Sequence, residues 1–156
     1  MIHNHKISER LTLHIPEDFS RIPMPGLNAW LTALRSGNYA QGPDFLNQDG
    51  KYCCLGVLCE VQQRPKIVHP RVLGDRLSYD DSSTVLSRVN PLYRWLGDSG
   101  AFPRMVQATL TNELSIGEKQ TVAAPDLTVL NDNLIPFADI AAVIELIWVE
   151  QEGPGQ

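Results

Sequence analysis

Long hydrophobic runs are missing from this chain. No stretch approaches the roughly 20 apolar residues that a membrane-spanning helix needs, and the first residues lack the apolar core of a secretory signal. Basic charge is also scarce, since 13 Lys and Arg stand against 18 Asp and Glu, for a formal net charge of −5. Lys and Arg supply nonspecific affinity for nucleic-acid phosphates. We therefore expect a cytoplasmic protein with no membrane partner and no general nucleic-acid binding.

Cysteine is sparse as well, and the three present, Cys53, Cys54 and Cys59, stand within seven positions. The adjacent pair cannot easily form a disulfide, and the spacing differs from the paired Cys-x2-Cys of common zinc sites. We expect reduced thiols, no structural metal and no cofactor. A chain of 156 residues is long enough to bury a core without such cross-links.

The segment Tyr52 to Cys59 carries no charge and is bounded by polar residues on both sides. A buried strand would give a similar run, but Leu55 and Leu58 recur at helical spacing together with the last cysteine. The pattern predicts a central helix over residues 52–62 that is buried on every side. Gly56 is costly inside a helix, so we expect another element to approach the backbone closely there.

Two further segments have the periodicity of amphipathic helices. One covers residues 27–36, and a longer one is predicted to begin at Pro136. Trp30 and Trp148 fall on the apolar faces of these helices, which predicts that both rings pack in the core. The periodicity does not place Trp95 on the apolar face of either helix.

The middle of the chain gives weaker signals. Ser82 or Ser83 is predicted to cap a short helix, and residues 106–111 and 120–123 are predicted to pair as a hairpin. Together these patterns predict a single α+β domain that is mostly α-helical, with four or five helices around the central helix and a minor β hairpin. The expected parts are an N-terminal extension (1–26), a globular domain (27–150) and a disordered tail (151–156).

Polar residues follow the first predicted helix and precede the last one. Arg35, Tyr39 and Gln41 lie in the first of these turns, and Asn131 and Asp132 lie in the second. If the two helices pack side by side, the turns meet and form a small polar pocket for a ligand. The structural alternative is an ion pair from the arginine to the aspartate, with the asparagine closing a turn.

A second candidate site is the basic stretch that contains Arg64, Lys66, His69, Arg71 and Arg76. In an acidic protein, a local group of cations can hold an anionic ligand such as a nucleotide phosphate, because Arg is a planar, bidentate phosphate donor. The alternative interpretation is a solvated loop.

The thiols are a third candidate. Cys53 stands near the start of the central helix, where the helix dipole stabilises a thiolate, and His14 or His69 are the available bases. This arrangement would suit a cysteine-dependent hydrolase or transferase that uses Cys53 or Cys54. The alternative is that thiols in so apolar a run are buried, inert hydrophobes.

Several motifs resemble a family of small uncharacterised proteins of bacteriophages and prophages. The likeness covers residues 27–60 and 127–147. Its motifs are Trp30-x2-Ala33-Leu34-Arg35-Ser36-Gly37-x-Tyr39-x-Gln41-Gly42, Tyr52-Cys53-Cys54-Leu55-Gly56-Val57-Leu58-Cys59, Leu130-Asn131-Asp132 and Phe137-x2-Ile140-Ala141-x2-Ile144-Glu145. Where the family usually has Ser or Thr before the matching Phe, this chain has Pro136.

The resemblance implies a phage accessory protein acting in a bacterial cytoplasm, and it brings no established chemistry. The leading hypothesis is a non-enzymatic binding protein that inhibits a host or defence component. Its expected partner is either a host defence protein or an anionic, nucleotide-like signal. The surface of residues 27–36 or the last helix would suit a homo-oligomer, and a cysteine-dependent enzyme remains the second hypothesis.

Overall fold

Strands outnumber helices in this protein. The computed structural model describes residues 1–115 and 117–151, which contain eleven strands and five helices. The helices are α1 (Leu27–Arg35), α2 (Cys54–Gln63), α3 (Tyr93–Leu96), α4 (Leu127–Asp132) and α5 (Phe137–Ile147). The strands are β1 (Ile2–Ser8), β2 (Leu11–Pro16), β3 (Ile22–Met24), β4 (Ala40–Gln41), β5 (Asn47–Gln48), β6 (Lys51–Tyr52), β7 (Pro70–Leu73), β8 (Arg76–Tyr79), β9 (Gln107–Ser115), β10 (Glu118–Ala124) and β11 (Trp148–Glu150).

The prediction of a mostly α-helical domain is wrong, because these strands form sheets of four, two and five strands. Strands β4, β5 and β6 have only two residues each. So short a strand shows no alternation of apolar and polar residues, and the sequence therefore contains no signal for it. The fold is a mixed one in which short helices pack against small sheets.

The four-stranded sheet has the order β1-β2-β9-β10, and all its neighbours are antiparallel. The pairing of β9 with β10 places Thr111 opposite Thr121, so the predicted hairpin is present. It belongs to a larger sheet, because β2 pairs with β9. Leu11 and Leu13 on β2 are buried in the hydrophobic core.

The other two sheets join distant segments. The five-stranded sheet has the order β4-β6-β5-β8-β7, which makes β7 an outer strand. In the two-stranded sheet, β11 runs parallel to β3 and Trp148 is paired with Ile22. This second pairing brings the end of the described chain next to the start of α1.

The central helix α2 is buried as predicted, although it begins at Cys54. Every residue from Cys54 to Cys59 is buried. Gly56 packs against the backbone of Leu46, and a Cβ atom on this glycine would overlap the Leu46 carbonyl oxygen. The close approach expected at Gly56 is therefore confirmed.

Helices α1 and α5 agree with their predicted positions to within about one residue. In α1, the indole Nε1 of Trp30 donates a hydrogen bond of 2.9 Å to the backbone oxygen of Cys54, which ties α1 to α2. Pro136 directly precedes α5. Trp30 and Trp148 are both buried, so the prediction that their rings pack in the core is confirmed. The predicted place of Trp148 on the last helix is wrong, because α5 ends at Ile147 and Trp148 begins β11.

No helix begins at Ser82 or Ser83, so the prediction of a short helix capped by one of these serines is wrong. The Ser82 hydroxyl accepts a hydrogen bond from the Ser87 backbone N–H, and the Asn90 amide donates to the Tyr79 carbonyl. Such contacts of side chains with the backbone compete with the helical hydrogen-bond pattern. The segment folds as a series of turns, and α3 begins only at Tyr93.

The described chain ends at Gln151, whose backbone N–H donates to the Met24 carbonyl oxygen at 3.0 Å. The predicted disordered tail lies, apart from this residue, outside the described residues. Among the helices described, none has the length and apolar character needed to cross a bilayer.

Candidate functional site

The two predicted polar turns meet in the folded protein. Gln41 Nε2 donates to Asn131 Oδ1 at 3.1 Å and to the Ile135 carbonyl at 2.7 Å. The Asn131 oxygen also accepts from the Cys54 backbone N–H, and its Nδ2 donates to the Gly42 carbonyl. Since Asn131 is fully buried, its amide is engaged in holding α4, α2 and β4 together.

The ion pair expected between Arg35 and Asp132 does not form. The Arg35 guanidinium instead contacts Glu145 on α5 at 3.1 Å, because α1 packs directly beside α5. This contact lowers the pKa of the Glu145 carboxyl. Asp132 accepts a hydrogen bond from the Asp44 backbone N–H. Tyr39 packs edge-on against the ring of Tyr52.

The basic stretch is spread over several surfaces. Arg76 lies over the ring of Phe45, with its Cζ atom 4.8 Å from the ring centroid. His69 Nδ1 is 3.5 Å from Asp80 Oδ1. Arg71 stands exposed on the outer strand β7. Arg64 and Lys66 belong to a different part of the surface, described below.

All three thiols are buried. Burial, with a smaller contribution from the nearby Asp132 carboxylate, raises the pKa of Cys53 to about 11. Burial also raises the pKa values of Cys54 and Cys59. The Cys53 sulfur accepts a hydrogen bond from the Gly56 backbone N–H and so caps α2. At neutral pH these thiols are protonated, and a thiolate nucleophile is disfavoured.

The two histidines considered as bases have other hydrogen-bond partners. His14 contacts the side chains of Asn4 and Thr109 at 2.7 and 2.8 Å. His69 contacts Asp80 through its ring, and its backbone N–H also binds the Asp80 carboxylate. The geometry thus supports a structural role for the cysteines.

An apolar groove opens on the side of the molecule where α1 begins. It has a volume of about 590 Å³, which lies within the range of small-molecule sites. We call it the Gln62 groove. Its lining residues come from five segments of the chain: Pro25 and Gly26; Gln62, Pro65 and Ile67; Pro91 and Leu92; Arg94 and Trp95; and Gln151.

The groove has one buried polar side chain, that of Gln62. This residue exposes 5% of its surface and lies against Gly26, where a Cβ atom would overlap the amide nitrogen. Among the residues that the structure describes, none forms a hydrogen bond with the Gln62 side-chain amide.

Another part of the groove lining carries a cation and an aromatic ring, those of Arg94 and Trp95. The Arg94 guanidinium lies over the Trp95 ring, with Cζ 5.0 Å from the ring centroid. Trp95 is half-buried, unlike the two core tryptophans. The exposed residues Arg64 and Lys66 alternate along the chain with two lining residues, so further positive charge adjoins the groove.

The sequence interpretation did not select Gln62, Arg94 or Trp95. Gln62 lies in the last turn of α2, and it has no neighbour in sequence that marks it as part of a site. The available signal was Trp95, the one tryptophan without a place on an apolar helix face. Because five separate segments form the groove, it appears only in the folded chain.

The protein is thus a mixed α+β protein with small sheets and a largely apolar groove that Gln62 helps to line. The chain belongs to the family described as a domain of unknown function, DUF8296, whose model matches residues 27–147. The resemblance to an uncharacterised family is therefore confirmed. No curated protein matches the chain, and no solved structure matches it.

Proposed function

We propose that this protein is a phage-encoded binding protein of the bacterial cytoplasm, which sequesters an anionic, nucleotide-like signal in the Gln62 groove. The observation that carries the proposal is the combination in one apolar groove of a half-buried tryptophan, a guanidinium and the side chain of Gln62, for which the described part of the chain offers no hydrogen-bond partner. A planar base stacks on aromatic and guanidinium faces, and cations attract its phosphates.

The proposed ligand site uses only part of the predicted basic stretch. Arg64 and Lys66 stay near the ligand, whereas Arg71 and Arg76 belong to the β7–β8 hairpin and do not line the groove. The resemblance to phage proteins supports the biological setting. Removing a host or defence signal from solution needs affinity and no catalytic step, which fits the buried, protonated thiols.

Intrinsic fluorescence tests the proposal directly. Trp30 and Trp148 are buried, so a ligand in the groove is expected to quench mainly Trp95. Titration with the four ribonucleoside 5′-monophosphates should produce saturable quenching. Trp95→Phe should abolish the signal, while calorimetry should still detect binding.

Two charge reversals locate the phosphate. Arg94→Glu is expected to weaken binding by about tenfold or more, because a guanidinium at the ligand is replaced by a carboxylate. Arg71→Glu is the matched control on an exposed strand outside the groove lining and should change affinity less than twofold. Equal losses in both variants would mean that the phosphate does not bind at Arg94, and a larger loss in Arg71→Glu would move the site to the hairpin.

Native mass spectrometry of the protein from infected cells separates the two partner classes. A mass of a few hundred daltons that is released on denaturation supports a sequestered signal. A co-purifying polypeptide, together with no quenching by any nucleotide, would replace the proposal with inhibition of a host protein.

A further inference from the structure

We propose that His3 and His5 on strand β1 form a two-histidine site for a divalent metal ion of the zinc class. Two of the four histidines in the chain thus stand two residues apart on one strand. The site is separate from the Gln62 groove, since none of the residues of β1, all of which the structure describes, lines that groove. Metal binding here does not depend on the proposed nucleotide-binding function.

The alternation of side chains along β1 places the two imidazoles on one face of the sheet. Successive side chains of a strand point to opposite faces, so residues i and i+2 share a face. Asn4, which lies between the two histidines, contacts the His14 ring at 2.7 Å on the other face. The ring centroids of His3 and His5 are 6.4 Å apart, and the ring planes are inclined at 49°. The two rings are therefore direct neighbours.

The spacing of the rings is close to what one metal ion requires. A zinc ion lies about 2.0–2.1 Å from an imidazole nitrogen, which puts each ring centroid about 3 Å from the metal. Two rings on one ion therefore have centroids roughly 4.5 to 6 Å apart, depending on the angle at the metal. Small rotations about the side-chain torsions of His3 and His5 bring their rings from 6.4 Å into this range.

Both rings have nitrogen atoms that a metal ion can use. Within the described part of the chain neither ring forms a side-chain hydrogen bond, whereas the His14 ring contacts Asn4 and Thr109 through its two nitrogens. The fourth histidine, His69, has its Nδ1 atom beside the Asp80 carboxylate. Neutral imidazole is a ligand that zinc, copper and nickel ions prefer. The free ring nitrogens thus belong to the two histidines that are neighbours.

The position of β1 at the edge of its sheet leaves room for the remaining ligands. The strand is the first in the order of the four-stranded sheet and pairs with β2. Among the described residues, no group of three or more His, Cys, Asp or Glu side chains could hold a metal. Water therefore fills the other coordination positions. His5 is half-buried opposite the core residue Leu13, which restricts the ring before the metal binds and lowers the cost of ordering it.

Titration with Zn²⁺ of the protein without an added histidine tag tests the site. Calorimetry should show one Zn²⁺ ion bound per chain and no binding of Mg²⁺, which prefers oxygen ligands. His3→Ala and His5→Ala should each weaken Zn²⁺ binding by about tenfold or more, because the second imidazole acts at a high effective concentration once the first has bound. His69→Ala is the matched control, since it removes an exposed imidazole outside the pair, and should change the affinity less than about twofold.

NMR spectroscopy of the histidine rings locates the ion in the unmodified protein, so this measurement needs no variant to fold. The ring resonances of His3 and His5 should shift together during the Zn²⁺ titration, while those of His14 stay in place. A response of only one of the two rings, or no binding at millimolar Zn²⁺, would overturn the proposal. Full affinity in either His3→Ala or His5→Ala would also overturn it, as would an equal loss in His69→Ala.

Discussion

Gly56 is a single residue on which the packing of the central helix depends. Alanine normally stabilises a helix interior by about 1 kcal/mol relative to glycine. Here the added Cβ would overlap the Leu46 carbonyl oxygen, which belongs to backbone and cannot rotate away. We therefore expect Gly56→Ala to lower the free energy of unfolding by about 3 kcal/mol, as measured by urea denaturation.

Gly37 is the matched control for this substitution. Its φ is +78°, and a Cβ atom there would meet nothing within 4 Å. Gly37→Ala should therefore cost only the backbone strain, about 1 kcal/mol. A Gly56→Ala protein that is as stable as the original, or more stable, would show that the helix and the Leu46 backbone are not in contact.

Because of the three buried thiols, the free energy of unfolding is expected to fall at alkaline pH. Burial raises the pKa of Cys53 from 9.0 to about 11 and raises those of Cys54 and Cys59. The unfolded chain therefore releases these protons first, so stability is complete below pH 9 and falls as the pH rises towards the folded-state values. We expect a loss of about 1 kcal/mol per thiol between pH 8 and pH 10.

Urea denaturation across this pH range measures the effect. Cys59→Ala removes one of the three thiols and should make the decline with pH shallower. Iodoacetamide should label the native protein at neutral pH only after unfolding. Rapid labelling of Cys53 in the folded state would contradict the buried geometry and return attention to a catalytic thiol.

Single residues differ in how far their environment follows from the sequence. The burial of the cysteines and the close contact at Gly56 were predictable, because both depend on a local apolar run. The partner of Arg35 was not, since Asp132 and Glu145 are both available and only the side-by-side packing of α1 and α5 selects Glu145.

Helix α1 depends on a capping residue that lies far away in sequence. Its first residues have no capping side chain, since Gly26 occupies the N-cap position. The two carboxylate oxygens of Glu150 accept from the backbone N–H groups of Gly26 and Asn28 at 3.0 and 2.9 Å. This carboxylate satisfies orphan donors and opposes the positive end of the helix dipole.

Glu150→Ala should accordingly lower the free energy of unfolding by about 1 to 2 kcal/mol. The control is Glu145→Ala, which removes only a solvent-exposed ion pair with Arg35 and should cost less than about 1 kcal/mol. Thermal or urea unfolding measures both. Equal effects of the two substitutions would mean that Glu150 does not act as the cap.

At the scale of elements, the helices were more predictable than the strands. The segments α1 and α5 are long enough for their apolar residues to define one face, and the hairpin β9–β10 has two substantial strands. The two-residue strands of the five-stranded sheet have no periodicity to detect. Local hydrogen bonds of Ser82 and Asn90 replaced the expected helix with turns.

The whole molecule is held together by contacts between distant segments. Strand β2 pairs with β9, and β3 pairs with β11. The Gln62 groove depends on the same long-range arrangement, since it takes residues from Pro25 to Gln151. Sequence patterns report neighbours within one element. The pairing of these segments, and hence the groove, required the folded structure.

Strand β2 lies before residues 27–147, the part of the chain that the family model matches. Its pairing with β9 nevertheless makes it part of the hydrophobic core. Leu13 is fully buried and stands opposite Ala108 on β9. Leu13→Ala should lower the free energy of unfolding by about 3 kcal/mol, because it leaves a cavity where the two strands meet the core. Thr12→Ala, on the partly exposed neighbour, should cost less than about 1 kcal/mol. Both variants are compared by urea denaturation. If Leu13→Ala proves as mild as its control, β2 is a dispensable addition and the matched region is stable without it; a large loss means that the core extends across both.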